Sequence, residues 1–165
     1  WILDPVPDFS YGINVGLDYK GFDLTVFLQG VQGVQIYNGQ KFQTDFWSLT
    51  DAGSNKGSRL LNAWTTDNTS SLIPALTTNN TGDEGRASTY FVENGSYLKL
   101  RDLSVGYNLP TDVLQRCKLS KLRFYLSGHN LLTIKSKSLT CKDPENPNWA
   151  YPLATSVTFG VQVGF

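Results

Sequence analysis

The sequence predicts an all-β fold, an antiparallel transmembrane β-barrel of which these 165 residues form a part. Three features predict it. Both ends of the chain alternate apolar and polar residues with period two, aromatic residues gather at the ends of such stretches, and the connections alternate short and long. A strand with one apolar face produces that period, because successive side chains point to opposite sides of a sheet.

The alternation is cleanest at the end. From Ser156 to Phe165 the odd positions are Val157, Phe159, Val161, Val163 and Phe165; the even ones are Ser156, Thr158, Gly160, Gln162 and Gly164. A tilted strand crosses a bilayer in about 9–11 residues, so this run is long enough. The opening stretch is alike. Phe9, Tyr11, Ile13, Val15, Leu17 and Tyr19 alternate with Ser10, Gly12, Asn14, Gly16, Asp18 and Lys20. Aromatics flank aliphatics there, the girdle order expected at two membrane interfaces.

Lys20-Gly21 reads as a tight hairpin turn. Phe22, Leu24, Val26 and Leu28 continue the apolar face on the return strand, against Asp23, Thr25 and Gln29, with Phe27 out of place on the polar side. Between Tyr97 and Leu109 the apolar phase slips from Leu98 and Leu100 to Leu103, Val105, Tyr107 and Leu109. One extra residue does this, so a β-bulge is expected near Arg101-Asp102. From Lys121 to Ile134, Leu122, Phe124 and Leu126 stand against Lys121, Arg123, Ser127 and His129. Strands are therefore expected near 9–19, 22–32, 96–109, 121–134 and 155–165.

The connections at 20–21 and 110–120 are short, and those at 33–95 and 135–154 are long. Bacterial outer-membrane barrels pair short periplasmic turns with long external loops. With Phe165 on the periplasmic side, both long connections become external. Structureless loops beyond about 15 residues are uncommon, so 33–95 is expected to hold small elements such as Ser58–Trp64. The two outer strands would expose unpaired backbone to lipid, which requires partner strands from elsewhere in the same protein. Trp1-Ile2-Leu3-Asp4-Pro5 lacks signal-peptide character, so an export signal and any plug domain are expected upstream.

Charge and motifs bear on function mainly by exclusion. Fourteen basic residues balance 14 acidic ones, giving no electrostatic case for nucleic acid. No apolar run approaches the roughly 18 residues of a transmembrane helix. No nucleophile elbow, phosphate loop or zinc spacing occurs, so no catalytic residue, cofactor or metal is expected and the chain is read as a non-enzyme. His129, the only histidine, reads as a polar-face strand residue. Asp143, Glu145, Asn146 and Asn148 fit no calcium loop and read as a turn. Trp47, Trp64, Trp149 and Tyr151 lie in the long connections, where aromatic faces either stack on sugars, anchor a partner, or pack the loops' own cores. Cys117 and Cys141 are expected to stay apart, in a periplasmic turn and an external loop at opposite ends of the strand Leu122–Ile134. Cys117 reads as a small buried residue after a helical turn capped by Thr111 or Asp112.

Several stretches, in order, resemble the carboxy-terminal region of the SusC/RagA family of TonB-dependent outer-membrane transporters of Bacteroidetes. They are Asp4-Pro5-Val6-Pro7-Asp8-Phe9-Ser10-Tyr11-Gly12, Tyr19-Lys20-Gly21-Phe22-Asp23-Leu24 and Phe27-Leu28-Gln29-Gly30. Phe91 to Arg101 and Val105-Gly106-Tyr107-Asn108-Leu109-Pro110 follow, then Leu122-Arg123-Phe124-Tyr125, Ser127-Gly128-His129-Asn130-Leu131, Asp143-Pro144-Glu145 and Tyr151-Pro152. Cys141-Lys142 stand where such sequences usually carry Gly-Tyr, so that loop has diverged. The resemblance implies a barrel of about 22 strands, with these as its last five, and an amino-terminal plug. It also implies nutrient uptake of oligosaccharides or peptides, energised through the TonB complex and capped by a SusD-like surface lipoprotein. Val157, Phe159, Val161, Val163 and Phe165 resemble the terminal-strand signal read by the assembly machinery through strand addition. Two alternatives stay open: a soluble all-β glycan-binding module, and a structural outer-membrane barrel without transport.

Overall fold

The computed structural model describes residues 2–46, 55–79, 82–147 and 151–165. They form two compact units. The sheet unit comprises Val6–Val34, Gly95–Ser136 and Leu153–Phe165; the loop unit comprises Trp1–Pro5, Gln35–Asn94 and Lys137–Pro152.

The sheet unit is built on five antiparallel strands in the order β1-β2-β5-β6-β7. These are β1 (Phe9–Tyr19), β2 (Phe22–Gln32), β5 (Tyr97–Asn108), β6 (Lys121–Lys135) and β7 (Ser156–Gly164). Each strand pairs with the next in sequence along the wall, the meander that barrels use. Lys20 and Gly21 join β1 to β2 at φ 48° and 88°. Two successive positive φ values match the right-handed strand twist and close the tightest hairpin, with Tyr19 paired to Phe22.

The expected bulge is present. Phe27 pairs with Asp102 and Leu28 with Leu100, leaving Arg101 unmatched by β2. A second irregularity sits beside it: Leu100 pairs with Leu132 and Asp102 with His129, so β6 carries the extra residue there. Asn130 takes φ 52° at that point. Asn tolerates this left-handed region better than most residues, which suits it to a bulge. Phe27, the apolar residue on the polar face, lays its ring over Gly12, where an added Cβ would meet it at 3.2 Å.

Between β5 and β6 lies α2 (Thr111–Arg116). Its N-cap is Pro110, and no side chain caps it, contrary to the expectation of Thr111 or Asp112. Pro110 instead supplies its carbonyl to Val113 and Leu114 while fixing φ before the helix. Cys117 follows as an exposed residue, not a buried one. Leu114 takes the buried position at this turn, and Cys117 ends the helix facing out.

The loop unit is more than a loop. It contains a two-stranded antiparallel ladder of β3 (Gln35–Tyr37) with β4 (Val92–Asn94), the short helix α1 (Gln40–Thr44), and 3-10 turns at Ser58–Asn62 and Thr89–Phe91. Only the first of those turns was expected. Phe91 is fully buried, with the rings of Tyr37, Phe42, Phe46 and Tyr90 5.4–6.2 Å away. Beside this aromatic core is a polar one. Glu93 accepts hydrogen bonds from Asn38 Nδ2 (3.0 Å) and from the Thr140 N–H (2.9 Å) and hydroxyl (2.7 Å), and pairs with Lys41 at 2.9 Å. Asp45 is likewise met by Arg59 at 2.9 Å and by the Tyr90 hydroxyl at 2.6 Å. Buried carboxylates persist only when paired this fully. Thr140 thus joins the 137–152 stretch to the 35–94 stretch within one core.

Candidate functional site

The functional surface is the two-faced sheet. Register aligns its apolar residues into rows across the strands. One row runs Tyr19, Phe22, Tyr107, Phe124, Val161, and the next Leu17, Leu24, Val105, Leu126, Phe159. Val15, Val26, Leu103, Gly128 and Val157 follow, then Ile13, Leu28, Leu100 and Leu132, then Tyr11, Gly30, Leu98 and Ile134. Aromatics stand in the first and last of these rows, and those between are aliphatic apart from Phe159 and Gly128. The two bulges keep β5 and β6 in phase with their neighbours beyond Leu100, because each re-aims the strand by one residue.

This face is uncovered. Val157 is 65% exposed, Phe159 68%, Val161 45%, Val163 49% and Phe165 96%. An apolar band of this extent is far larger than a soluble protein leaves in water. Val157, Phe159, Val161 and Val163 fall on it together, and Phe165 follows directly after the end of β7.

The opposite face is polar. Asp23 accepts from Arg123 Nε at 3.0 Å and from Asn108 Nδ2 at 3.1 Å, near the hairpin end. Arg123 also lies over the Tyr125 ring at 5.3 Å. His129 Nδ1 meets the Asp102 carboxylate, which gives the histidine a polar-face partner. At the bulges Arg101 donates to Gln29 Oε1 (2.7 Å) and Asn130 Oδ1 (3.1 Å). Asn130 in turn donates to the Ala154 carbonyl (3.2 Å) and accepts from the Thr155 hydroxyl (2.9 Å), tying the start of β7 to β6. The sequence located the bulge but not this chain of bonds. Its signal was an Asn in a strand beside a phase slip.

The loop residues are dispersed. Trp64 is 41% exposed, its backbone N–H donating to the Ile73 carbonyl at 2.8 Å. Tyr151 is 94% exposed, its carbonyl accepting from Asn146. Trp47 and Trp149 lie outside the described residues, as does Asn148. Asp143 folds its own turn, accepting from the Glu145 N–H at 3.0 Å and the Asn146 N–H at 3.2 Å. Cys117 and Cys141 form no disulfide, and the buried Cys141 thiol donates to the Asp143 carbonyl at 3.5 Å.

No family model matches the chain. TonB-dependent receptor P3 of Formosa agariphila is 38% identical over 135 residues, 80% of this chain and 12% of that protein. TonB-dependent receptor P26 of the same organism is 28% identical over 176 residues, 98% of this chain and 17% of that protein. The solved structure of the RagAB peptide transporter superposes with a TM-score of 0.82 at 27% identity, covering 99% of this chain and 18% of that one. A structure of the RagAB peptide importer in its closed-closed state gives 0.82 at 28% identity. The chain belongs to the SusC/RagA-like TonB-dependent receptors. It spans less than a fifth of the length of the relatives it matches. In a TonB-dependent receptor of the outer membrane the apolar rows form the lipid-facing band, and aromatic rows mark its edges. The polar face, with its carboxylate and guanidinium groups satisfied by neighbouring strands, is the inner side of the wall.

Proposed function

We propose that the complete protein is an active importer of peptides or oligosaccharides, energised through TonB and capped by a SusD-like surface lipoprotein. The likeness to the RagAB peptide transporter over 99% of this chain supports it most, and favours peptides. Residues 1–165 would be the carboxy-terminal strands of a barrel of about 22, completed by other strands of the same protein. Phe165 and the short connections would face the periplasm, with 33–95 and 135–154 outside. Val157, Phe159, Val161, Val163 and Phe165 would also serve as the signal for insertion, offered by strand addition. Trp64 and Tyr151, with Trp47 and Trp149, are candidates for contact with substrate or lipoprotein. Uptake of isotope-labelled oligopeptides and oligosaccharides by cells with and without the full-length protein tests the proposal. Import of either class that stops when TonB is removed supports it; unchanged uptake of both in the deletion strain sinks it.

A further inference from the structure

We infer that the lipid-facing wall carries a seat for one acyl chain of an anionic phospholipid. The inference rests on the outer-membrane reading and goes beyond transport. A depression of about 190 Å³ opens on the apolar face, lined by Phe22, Val105, Tyr107, Phe124, Leu126 and Phe159 together with Gly106 and Tyr125. Six of the eight belong to the two apolar rows nearest the hairpin, Gly106 and Tyr125 pair with each other between those rows, and the lining leaves hardly any polar surface in the depression. Val105 is the smallest of the six row residues, set on β5 between the mutually tilted rings of Phe22 and Tyr107 (4.5 Å) and the Phe124, Leu126 and Phe159 side chains. A short side chain among larger ones leaves a trough. Backbone groups here are used by strand pairing on β2, β5 and β6, so the backbone in the trough asks for no further hydrogen bond.

Two observations choose the occupant. Most of the trough lies on interior strands, continuous with the lipid-facing band, so a missing neighbouring strand does not fill it. Lys20 caps the same end of the sheet in the β1–β2 turn, its Nζ 5.1 Å from the Tyr19 ring. A cation at the edge of an aromatic row stands where a phosphate headgroup lies when its acyl chain runs along the wall. A hydrocarbon chain matches the lining, and the lysine matches an anionic headgroup.

The test uses the full-length protein, extracted in detergent, passed through vesicles of phosphatidylethanolamine and phosphatidylglycerol, re-extracted and weighed by native mass spectrometry. The native protein is expected to retain phospholipid, with phosphatidylglycerol enriched. Val105→Phe, which fills the trough, is expected to lose it, and Leu126→Trp to behave the same way. Val15→Phe, the same change on the same face outside the trough, is expected to retain it. Lys20→Asn keeps a residue suited to positive φ and is expected to lower the phosphatidylglycerol preference roughly fivefold. Equal retention by native, Val105→Phe and Leu126→Trp proteins overturns the seat, as does a polypeptide found there instead of lipid. A full-length protein that stays dispersed without detergent overturns the outer-membrane reading itself, a separate result.

Discussion

Tyr11 and Gly30 are partners across β1 and β2, and the Tyr11 ring lies over the glycine where a Cβ would stand. Gly160 and Tyr125 repeat the device on the polar face. An aromatic ring covering a strand glycine shields the exposed backbone that glycine leaves. Gly30→Ala is therefore expected to cost roughly 1–3 kcal/mol by displacing the ring. In a Tyr11→Ala background the same change should cost far less, and urea titration of the reconstituted protein measures both. Additive costs would mean that the pair does not interact. Depth on the apolar face gives a second expectation. Val157 shares a central aliphatic row with Val15 and Val26, whereas Val161 shares the aromatic row of Tyr19 and Phe22. Val157→Arg should cost about 2–4 kcal/mol and Val161→Arg about 0–1, as burial of charge falls off toward the interface. Thr158→Arg, on the polar face, should be nearly silent, and the order of the three is the outcome to check in the same titration.

Among the elements, the β3–β4 ladder depends on a titratable group. Burial pushes the Glu93 carboxyl up, but hydrogen bonds from the Thr140 hydroxyl and N–H, Lys41 and Asn38 outweigh it and hold it below its ordinary 4.5. A carboxyl that gives up its proton more readily when folded adds stability above that ordinary value. The contribution is lost as pH falls through the lowered one. Cys141, one residue from Thr140 and 1% exposed, reports on this. Its reaction with dithiodipyridine should accelerate as pH drops below 4.5, while Glu93→Gln should react quickly at neutral pH already. A rate that ignores pH in the native protein would detach Glu93 from the packing of the unit. Elsewhere the Tyr90 hydroxyl is pushed up by burial and by its bond to Asp45, so it remains a donor through alkaline pH. None of this was legible in advance. Period two exposes a strand because every second residue repeats one environment, whereas Asn38, Glu93 and Thr140 meet only after the chain has folded. Pattern likewise placed the bulge at Arg101 but could not tell that Cys117 would face out, since one helical turn has no period to read.

For the molecule as a whole, sidedness is the outstanding expectation. With short connections in the periplasm, Lys56→Cys should react with a membrane-impermeant maleimide on intact cells, and Gln115→Cys only after the outer membrane is permeabilised. The native Cys117 thiol, exposed beyond α2, should follow Gln115→Cys. Label at residue 115 but not at 56 on intact cells would invert the topology. The wall was legible because membrane and lumen each demand one chemistry along a whole strand; the long connections answer to neither demand, and their sequence shows no period. Yet those connections share one interior. Glu93 accepts two hydrogen bonds from Thr140, across an interval of 47 residues that includes two complete strands of the wall. Recombination that exchanges 35–94 alone would import a carboxylate without its threonine, or strand the threonine without its carboxylate. The two stretches are therefore bound to be inherited as a single cassette, and variation between related receptors should appear in both or in neither.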